Sequence, residues 1–424
     1  MSNPGEFVRP GQECGALAAV RMILAVLGAA TLAACGSSGT VAPSTTTVVE
    51  TTTSTTTSTT STTSTTSTTS TTSTTSTSTT TSSTTTSTTT TAPPGPTAAE
   101  CIAELAPATR IGQVLLPVVE QAELADAVAL AERGLIGGVV VIGKPDEGIT
   151  DAIDSLHASS MTGRLVIAVD EEGGNVQRLD GLLGLLPSAF GLTELEPRQV
   201  RVVIADRMAA MADLGFTVNL APVFDVGAGP GIGSRSFGDE PGVVVTYGRA
   251  FADGVLDGGL FPVAKHFPGH GRADTDSHDD LPTTPPLEEM SDFDLVPWRG
   301  LTDRIGVMVG HLDVPGLTEG MPASLSPEAI TGLLRTELEF DGVVLVDDLE
   351  MGAIEEITTL PKAAVLALAA GADLLITGTH YNVIPAAWEI VTALDDGRLS
   401  EERLAEAVER VFALRGVDPC TLVS

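Results

Sequence analysis

The chain contains few aromatic and few basic residues for its length. Aromatic residues make up 4% of the 424 residues, and 22 Lys and Arg stand against 55 Asp and Glu, which gives a formal net charge of −33. Because proteins bind phosphate backbones through clustered Lys and Arg, this balance argues against a nucleic-acid partner. The acidic surplus fits a well-solvated surface outside the cytoplasm.

The N-terminal apolar run is too short to cross a bilayer, which takes about 20 residues. Residues 22–34 are apolar or small, follow Arg21 and end in Leu-Ala-Ala before Cys35. This pattern predicts a signal peptide over residues 1–35. Its end resembles a bacterial lipobox, which implies cleavage before Cys35 and a lipid on its thiol. A plain signal peptide that contains a cysteine by chance is the alternative.

Residues 36–97 lack the apolar pattern of a folded core. From 44 to 91 every residue is Ser or Thr apart from Val48, Val49 and Glu50, and three prolines follow. Such a composition predicts a disordered linker. It is either a stalk, with or without O-glycosylation, that holds a domain away from the membrane or an inert low-complexity expansion. Neither interpretation places chemistry in this segment.

Cysteine is scarce as well, with four residues in the chain. Cys101 and Cys420 bracket the part predicted to fold. Outside a reducing cytosol, a disulfide between them would tie the two ends of that part together. Two separate thiols are the alternative, because the sequence does not give their separation in space.

Residues 98–424 alternate between short apolar runs rich in β-branched residues and helical patterns. This alternation indicates a parallel sheet, and eight repeats favour closure into one (β/α)8 barrel of the TIM type. The eight predicted strands are 114–119, 137–142, 165–169, 217–223, 262–266, 307–311, 343–346 and 374–377. The helical stretches include 198–214, 243–256, 327–338, 362–370, 385–394 and 400–414.

Polar side chains collect at the C-terminal ends of five of these strands. Barrel enzymes build their active sites at that face, so the sequence predicts a site there. The residues concerned are Asp170, Glu171, Glu172, Asn219, Asp225, Lys265, His266, His311, Asp313, Asp347 and Asp348.

The loop after the fifth predicted strand carries the most informative triplet, Asp276-Ser277-His278. A carboxylate two residues from an imidazole can accept its N–H, fix its tautomer and raise its basicity. Those are the requirements of a positioned general acid/base.

A pair of histidines with a spacing seen in zinc sites, His266 and His270, lies where the fifth predicted strand passes into this loop. Pro268 and Gly269 lie between them and prevent the helix that would place both on one face. A metal site is therefore the less favoured interpretation, and we expect neither metal nor cofactor.

The seventh predicted strand leads directly into Asp347 and Asp348. Adjacent residues point to opposite sides of a strand, so only one of them can face the barrel axis. The alternative is that both aspartates cap the next helix. We expect one of them to do so, and we favour Asp347 as the residue that attacks an electrophilic carbon.

Two cationic residues of this face also call for a role. An inward Lys265 is costly without a partner, which a substrate hydroxyl or a nearby carboxylate would supply. Arg235 lies in a Gly-rich loop, where it could bind a substrate oxygen or a site carboxylate. An exposed loop arginine is the alternative. For His266, a structural role beside the strand is nearly as well supported as substrate contact.

Taken together, these segments resemble glycoside hydrolase family 3, in its single-domain β-N-acetylhexosaminidase branch. They occur in the family's order, and the run at 265–271 and the triplet at 276–278 are the most specific. The matching segments are 170–179, 219–226, 232–238, 265–271, 276–278, 322–327 and 346–351.

The resemblance implies a retaining mechanism with Asp347 as nucleophile, His278 as acid/base and Asp276 as its partner. It further implies that four residues contact a terminal N-acetylglucosamine: Asp170, Arg235, Lys265 and His266. Asn175 departs from the family, which commonly has Arg there, so the resemblance implies no substrate contact at that position.

The expected protein is a monomeric, lipid-anchored, extracytoplasmic exo-glycosidase. Its expected substrate is terminal β-linked N-acetylglucosamine on peptidoglycan-derived or related glycans. A family-3 β-glucosidase or a phosphorylase is the alternative enzyme. A non-catalytic cell-wall-binding lipoprotein is the alternative from another functional class.

Overall fold

The computed structural model describes residues 95–423. The predicted signal peptide over 1–35, the lipid attachment at Cys35 and residues 36–94 of the predicted linker lie outside the described residues. Within residues 95–423, no helix is both long and apolar enough to span a membrane.

Eight parallel strands close into a barrel in which each strand pairs with its neighbours in sequence and the first pairs with the last. This confirms the predicted (β/α)8 architecture. The strands are β1 (Leu115–Glu120), β2 (Gly138–Ile142), β3 (Val166–Val169), β4 (Val218–Asn219), β5 (Phe261–Phe267), β6 (Gly306–Val309), β7 (Val344–Val346) and β8 (Leu374–Thr379).

The strands bury apolar residues on both faces, which is why they read as continuous apolar runs. In β8, Leu374 and Ile376 belong to a cluster that fills the barrel interior. Leu375 between them belongs to the larger cluster that lies under the helices. Because successive side chains point to opposite sides of a strand, one short run builds two cores.

Helices cover the outside of the barrel, and several shorter ones lie in the loops. They are α1 (Ala98–Glu104), α2 (Pro107–Gly112), α3 (Leu124–Ala131), α4 (Ile149–Ser159), α5 (Asp180–Leu183), α6 (Ala189–Leu192), α7 (Pro197–Asp213), α8 (Pro241–Asp257), α9 (Leu287–Met290), α10 (Gly352–Glu355), α11 (Leu360–Ala370), α12 (Val383–Asp396), α13 (Glu401–Arg415) and a π-helix (Glu328–Glu337).

Helix ends carry the expected signals. The side chain of Ser400 accepts a hydrogen bond from the backbone N–H of Arg403, which caps α13 at the predicted position. Proline begins α7, α8 and, at the second position, α11. Gly416 ends α13 in the left-handed conformation, which glycine adopts without steric strain.

Two predicted elements differ from the structure. The strand expected over 217–223 is only Val218–Asn219, because the chain then turns into a loop in which Val223 makes an isolated bridge to Lys265. The helix expected over 327–338 forms at the right place, but it is wound as a π-helix, Glu328–Glu337.

The two ends of the described chain are joined. Cys101 in α1 and Cys420 in the last 3-10 turn form a disulfide across 319 residues, with a Cα–Cα distance of 5.0 Å. The bond fastens the chain before β1 to the chain after α13.

Candidate active site

A cavity of about 150 Å³ opens at the C-terminal face of the barrel. It lies where the polar residues that follow β3, β4, β5 and β7 converge, as the sequence predicts. The residues that carry the argument below are Asp170, Arg235, Lys265, His266, Asp276, His278 and Asp347, and all of them line this cavity.

Lys265 provides one fixed positive charge in the wall. Its side chain is 3% exposed, and its Nζ lies 2.5 Å from Asp170 Oδ1 and 2.7 Å from Glu172 Oε1. Burial alone would lower the pKa of Lys265, but the two carboxylates outweigh it and raise that pKa. The ammonium is therefore charged, and the expected carboxylate partners are present.

Arg235 supplies the second charge and is not an exposed loop residue. Its Nε and Nη2 each donate to a different oxygen of Glu172, both over 2.9 Å. Burial would raise the pKa of Glu172, yet Lys265 and Arg235 lower it to about 2. One carboxylate thus holds both cations in place, which fixes the wall before any ligand arrives.

His266 is held from both sides. Its Nδ1 lies 2.7 Å from Asp225 Oδ2, and its Nε2 lies 3.3 Å from Arg235 Nη2. A guanidinium can only donate, so Nε2 is the acceptor and the ring proton sits on Nδ1. Asp225 is fully buried and also accepts the backbone N–H of His270. His266 therefore has both a structural contact and a face on the cavity.

Asp347 follows β7 and faces the cavity. Its Oδ1 accepts the backbone N–H of Asp348 over 2.9 Å. Burial acts to raise the pKa of Asp347, but His266, His311 and Lys265 more than offset it and lower that pKa. The carboxylate is therefore ionised at neutral pH, as a nucleophile must be.

Asp348 has a different environment. Burial, with Asp347 and Glu350 nearby, raises its pKa to about 7. Its Oδ1 accepts the backbone N–H of Glu350, whereas Met351 occupies the N-cap of α10. The prediction that one of the two aspartates caps the next helix is therefore wrong, because the chain makes a turn before the helix begins.

His311 supports the peptide that follows Asp347. Its Nε2 donates to the carbonyl of Asp348 over 2.9 Å, and its Nδ1 accepts from the hydroxyl of Ser324 over 2.7 Å. Burial lowers the pKa of this fully buried ring, so it is neutral at pH 7. Its contacts fix the turn that carries the two aspartates.

The Asp276–His278 pair stands at the mouth of the cavity. His278 Nδ1 lies 2.7 Å from Asp276 Oδ1, and the backbone N–H of His278 donates to the same oxygen over 3.1 Å. The His278 side chain is 71% exposed, so its Nε2 is free to meet a ligand. Burial would raise the pKa of Asp276, but the bonds from His278 lower it.

The histidine pair considered for metal binding is arranged differently. The rings of His266 and His270 lie 5.9 Å apart at 67°, and Asp225 occupies Nδ1 of His266. Among the described residues, no group of three His, Cys, Asp or Glu is placed to hold a metal ion.

A second cavity, of about 200 Å³, lies at the opposite end of the barrel near the starts of β3 and β5. Its walls contain Arg164 and Arg415 but neither a carboxylate nor a histidine. It therefore lacks the groups for acid/base or nucleophilic chemistry.

Two residues that organise the site had been placed at its face from the sequence, but no role was predicted for them. Glu172 pairs with both Lys265 and Arg235, and Asp225 pairs with His266. The sequence shows both after predicted strands. In the run Asp170-Glu171-Glu172, however, nothing indicates that Glu171 turns outward to pair with Arg207 of α7 while Glu172 turns inward.

Comparison with known proteins gives a consistent result. A family model described as the glycosyl hydrolase family 3 N terminal domain matches residues 108–414. The β-hexosaminidase LpqI of Mycobacterium tuberculosis is 41% identical over 331 residues, which cover 75% of this chain and 84% of that protein. A β-hexosaminidase of Alkalilimnicola ehrlichii is 36% identical over 269 residues, covering 59% and 76%.

Solved structures show the same similarity. The structure of M. tuberculosis LpqI superposes with a TM-score of 0.71 at 41% identity, over 76% of this chain and 96% of that one. A family 3 β-N-acetylglucosaminidase from a Paenibacillus species gives a TM-score of 0.69 at 31% identity, over 76% of this chain and 64% of that one.

Proposed function

The chain belongs to glycosyl hydrolase family 3, and we propose that it removes terminal β-linked N-acetylglucosamine from glycans with retention of configuration. One observation carries this proposal. A half-buried, ionised carboxylate, Asp347, and a carboxylate-supported imidazole, His278, line the same cavity.

In the first step, a carboxylate oxygen of Asp347 attacks the anomeric carbon of the sugar. The bond from that carbon to the leaving oxygen breaks, and protonated His278 gives its Nε2 proton to the leaving oxygen. The products are a free aglycone and a sugar bonded covalently to Asp347.

In the second step, neutral His278 takes a proton from water through Nε2. The water oxygen attacks the anomeric carbon, and the bond to Asp347 breaks, which restores the carboxylate. Asp276 holds Nδ1–H throughout, so Nε2 is the nitrogen that exchanges protons.

The charged residues of the cavity lining position the sugar. Asp170, Lys265 and Arg235 carry charged groups that can hydrogen-bond to sugar hydroxyls. The ring of His266, held by Asp225 and Arg235, forms part of the cavity lining beside them. Because Glu172 already pairs with both cations, the sugar meets a pre-formed surface, and little binding energy is spent on ordering it.

We further propose a setting for this activity. The protein acts outside the cytoplasm, as a monomer that a lipid on Cys35 and the Ser/Thr-rich linker hold at the membrane. There it trims peptidoglycan-derived glycans. The apolar run before Cys35 and the composition of residues 44–91 support this setting. Palmitate labelling that Cys35→Ser fails to remove would refute the anchor.

Substrate comparison tests the proposed reaction. Purified chain is assayed with aryl N-acetyl-β-glucosaminide and aryl β-glucoside, with and without phosphate, before and after exhaustive chelation. We expect turnover of the N-acetylglucosaminide that needs neither phosphate nor metal, and loss of it in Asp347→Ala.

Each of the other results would indicate one of the alternative functions. Preference for the glucoside would make it a β-glucosidase, and release of N-acetylglucosamine 1-phosphate would make it a phosphorylase. Loss on chelation that zinc restores would indicate a metal enzyme. Turnover of neither sugar, with retention on cell walls, would indicate a binding lipoprotein.

A further inference from the structure

The loop that carries His278 rests against the start of α10, five residues beyond Asp347. The backbone N–H of Ala353 points to the carbonyl of Ser277 over 3.4 Å. The two carbonyls that follow, of His278 and Asp279, lie over Gly352. The short helix after the proposed nucleophile therefore packs against the loop that carries the proposed acid/base.

The loop leaves no space for a side chain at Gly352. A Cβ added to Gly352 would lie 2.8 Å from the carbonyl oxygen of His278 and 2.8 Å from that of Asp279. Both neighbours are backbone atoms of the loop, so no side-chain rotation can relieve the contact. Either the loop or α10 would have to move.

The backbone conformation of Gly352 does not itself require glycine. Gly352 is the first residue of α10 and has no positive φ, so alanine is sterically acceptable to the helix. Alanine also favours a helix over glycine. The glycine at this position is therefore explained by the close approach of the loop.

A second contact supports the loop from the other side. The carboxylate of Asp276 packs against Gly231, where an added Cβ would lie 2.8 Å from Asp276 Cγ. The carbonyl of Gly231 accepts a hydrogen bond from Arg235 Nη1 over 2.8 Å. The Asp276–His278 pair is thus packed between the Arg235 loop on one side and Gly352, at the start of α10, on the other.

We propose that Gly352 is a positioning residue for proton transfer, because its missing side chain lets the loop hold His278 at the cavity that Asp347 also lines. This inference rests on the proposed glycosidase function. It concerns no contact with the sugar, since Gly352 acts only through the loop backbone.

The test compares Gly352→Ala with the wild-type chain and with Gly242→Ala. Gly242 lies in the first turn of α8 and has nothing within 4 Å of an added Cβ, so it controls for the substitution itself. For each protein, kcat/KM is measured with an alkyl and a dinitrophenyl N-acetyl-β-glucosaminide, and Tm is measured by thermal unfolding. The value of kcat/KM reports substrate binding and the glycosylation step, and it excludes the later release of the sugar by water.

General acid catalysis contributes roughly 10²–10⁴-fold, so a displaced His278 is expected to lower kcat/KM for the alkyl substrate by about 10-fold or more. The dinitrophenol leaves without a proton, so its kcat/KM should stay within about 3-fold of wild type. The Tm of Gly352→Ala should fall by no more than a few degrees, because the strain is confined to one loop contact. Gly242→Ala should match wild type in both assays.

A double variant shows whether the effect passes through His278. In a His278→Ala background, Gly352→Ala should cause no further loss. Equal losses on both substrates, a full additional loss in that background, or loss of the folded state would overturn the proposal. An inactive wild-type chain would instead refute the proposed function, so the two failures are distinguishable.

Discussion

Two adjacent carboxylates at the end of β7 have opposite electrostatic environments. Asp347 faces the cations and imidazoles of the cavity, which lower its pKa, whereas burial raises the pKa of Asp348 to about 7. The alternation of side chains along the strand end produces this contrast. A single residue of shift in register would put the wrong carboxylate beside the sugar.

The exposed imidazole of His278 gives a direct prediction for substrate dependence. His278→Ala is expected to lower kcat/KM by roughly 10²–10⁴-fold for alkyl N-acetyl-β-glucosaminides, since the leaving oxygen then departs unprotonated. Dinitrophenyl substrates should lose far less. A plot of log kcat/KM against leaving-group pKa should become steeper, and an unchanged slope would count against an acid role.

Glu172 predicts how stability depends on acid. Its pKa is about 2 in the folded chain against 4.5 ordinarily, so its stabilising effect is complete above pH 4.5 and disappears as the pH falls towards 2. The full effect corresponds to about 3 kcal/mol. Urea unfolding should show a wild-type free energy that falls over this window.

In Glu172→Gln the free energy of unfolding should change less between pH 4.5 and pH 2 than it does in the wild-type chain. It should also be lower than that of the wild-type chain at pH 7. The KM for the aryl N-acetyl-β-glucosaminide should rise, because Lys265 and Arg235 lose their common partner. Parallel pH profiles for the two proteins would show that Glu172 is not the group responsible.

The sequence predicted residues well where partners are close in the chain. Asp276 and His278 are two positions apart, so their pairing could be anticipated. The pairing of Glu172 with Arg235 spans 63 positions and depends on which way a turn faces. Local patterns do not contain that information.

At the scale of elements, the turn between β7 and α10 joins both halves of the chemistry. It begins with Asp347, is fixed by His311 through the carbonyl of Asp348, and ends at the glycine on which the His278 loop rests. Movement of this turn would therefore change the nucleophile and the acid/base together.

This turn also predicts a stability effect of opposite sign. Because the pKa of Asp348 rises from 3.8 to about 7 on folding, the folded chain binds the proton more tightly, and stability falls as the pH rises from about 4 to 7. Asp348→Asn keeps an acceptor for Glu350 but removes the charge. It should stabilise the chain at pH 8 by up to about 4 kcal/mol and have little effect near pH 4.

Urea unfolding at the two pH values checks this expectation, with Asp341→Asn as control. Asp341 is exposed and lies just before β7. A stabilisation that is the same at pH 4 and pH 8, or that Asp341→Asn also produces, would contradict the assignment of the raised pKa to Asp348.

The eight strands could be predicted because each is a short apolar run buried on both faces. The shortest of them, Val218–Asn219, shows where this method stops. The apolar residues that follow it are buried in a loop, and burial alone does not distinguish a loop from a strand. Loop conformations, which place Arg235 and His278, depend on contacts between elements that are distant in sequence.

At the scale of the whole molecule, the barrel is closed twice. Hydrogen bonds between β1 and β8 close the sheet, and the Cys101–Cys420 disulfide joins the segments outside it. A bond across 319 residues restricts the unfolded chain strongly, which is the main way a disulfide stabilises a protein.

Cys101→Ser is therefore expected to lower the free energy of unfolding by roughly 2–5 kcal/mol. Cys420→Ser should have the same effect, and dithiothreitol should reproduce it in the wild-type chain. Turnover at 25 °C should be preserved, because the bond lies outside the residues that line the cavity. Thermal unfolding measures the change, and an unaltered Tm on reduction would show that the bond does not stabilise the fold.

The account as a whole depends on Asp347 forming the covalent bond to the sugar. The most direct measurement is to incubate the chain with a fluorinated N-acetylglucosaminyl donor, which forms the glycosyl-enzyme faster than water releases it, and to locate the label by peptide mass spectrometry. We expect one sugar per chain on Asp347 and none in Asp347→Ala. A label on Asp348 or on any other residue, or turnover without a covalent adduct, would contradict the account.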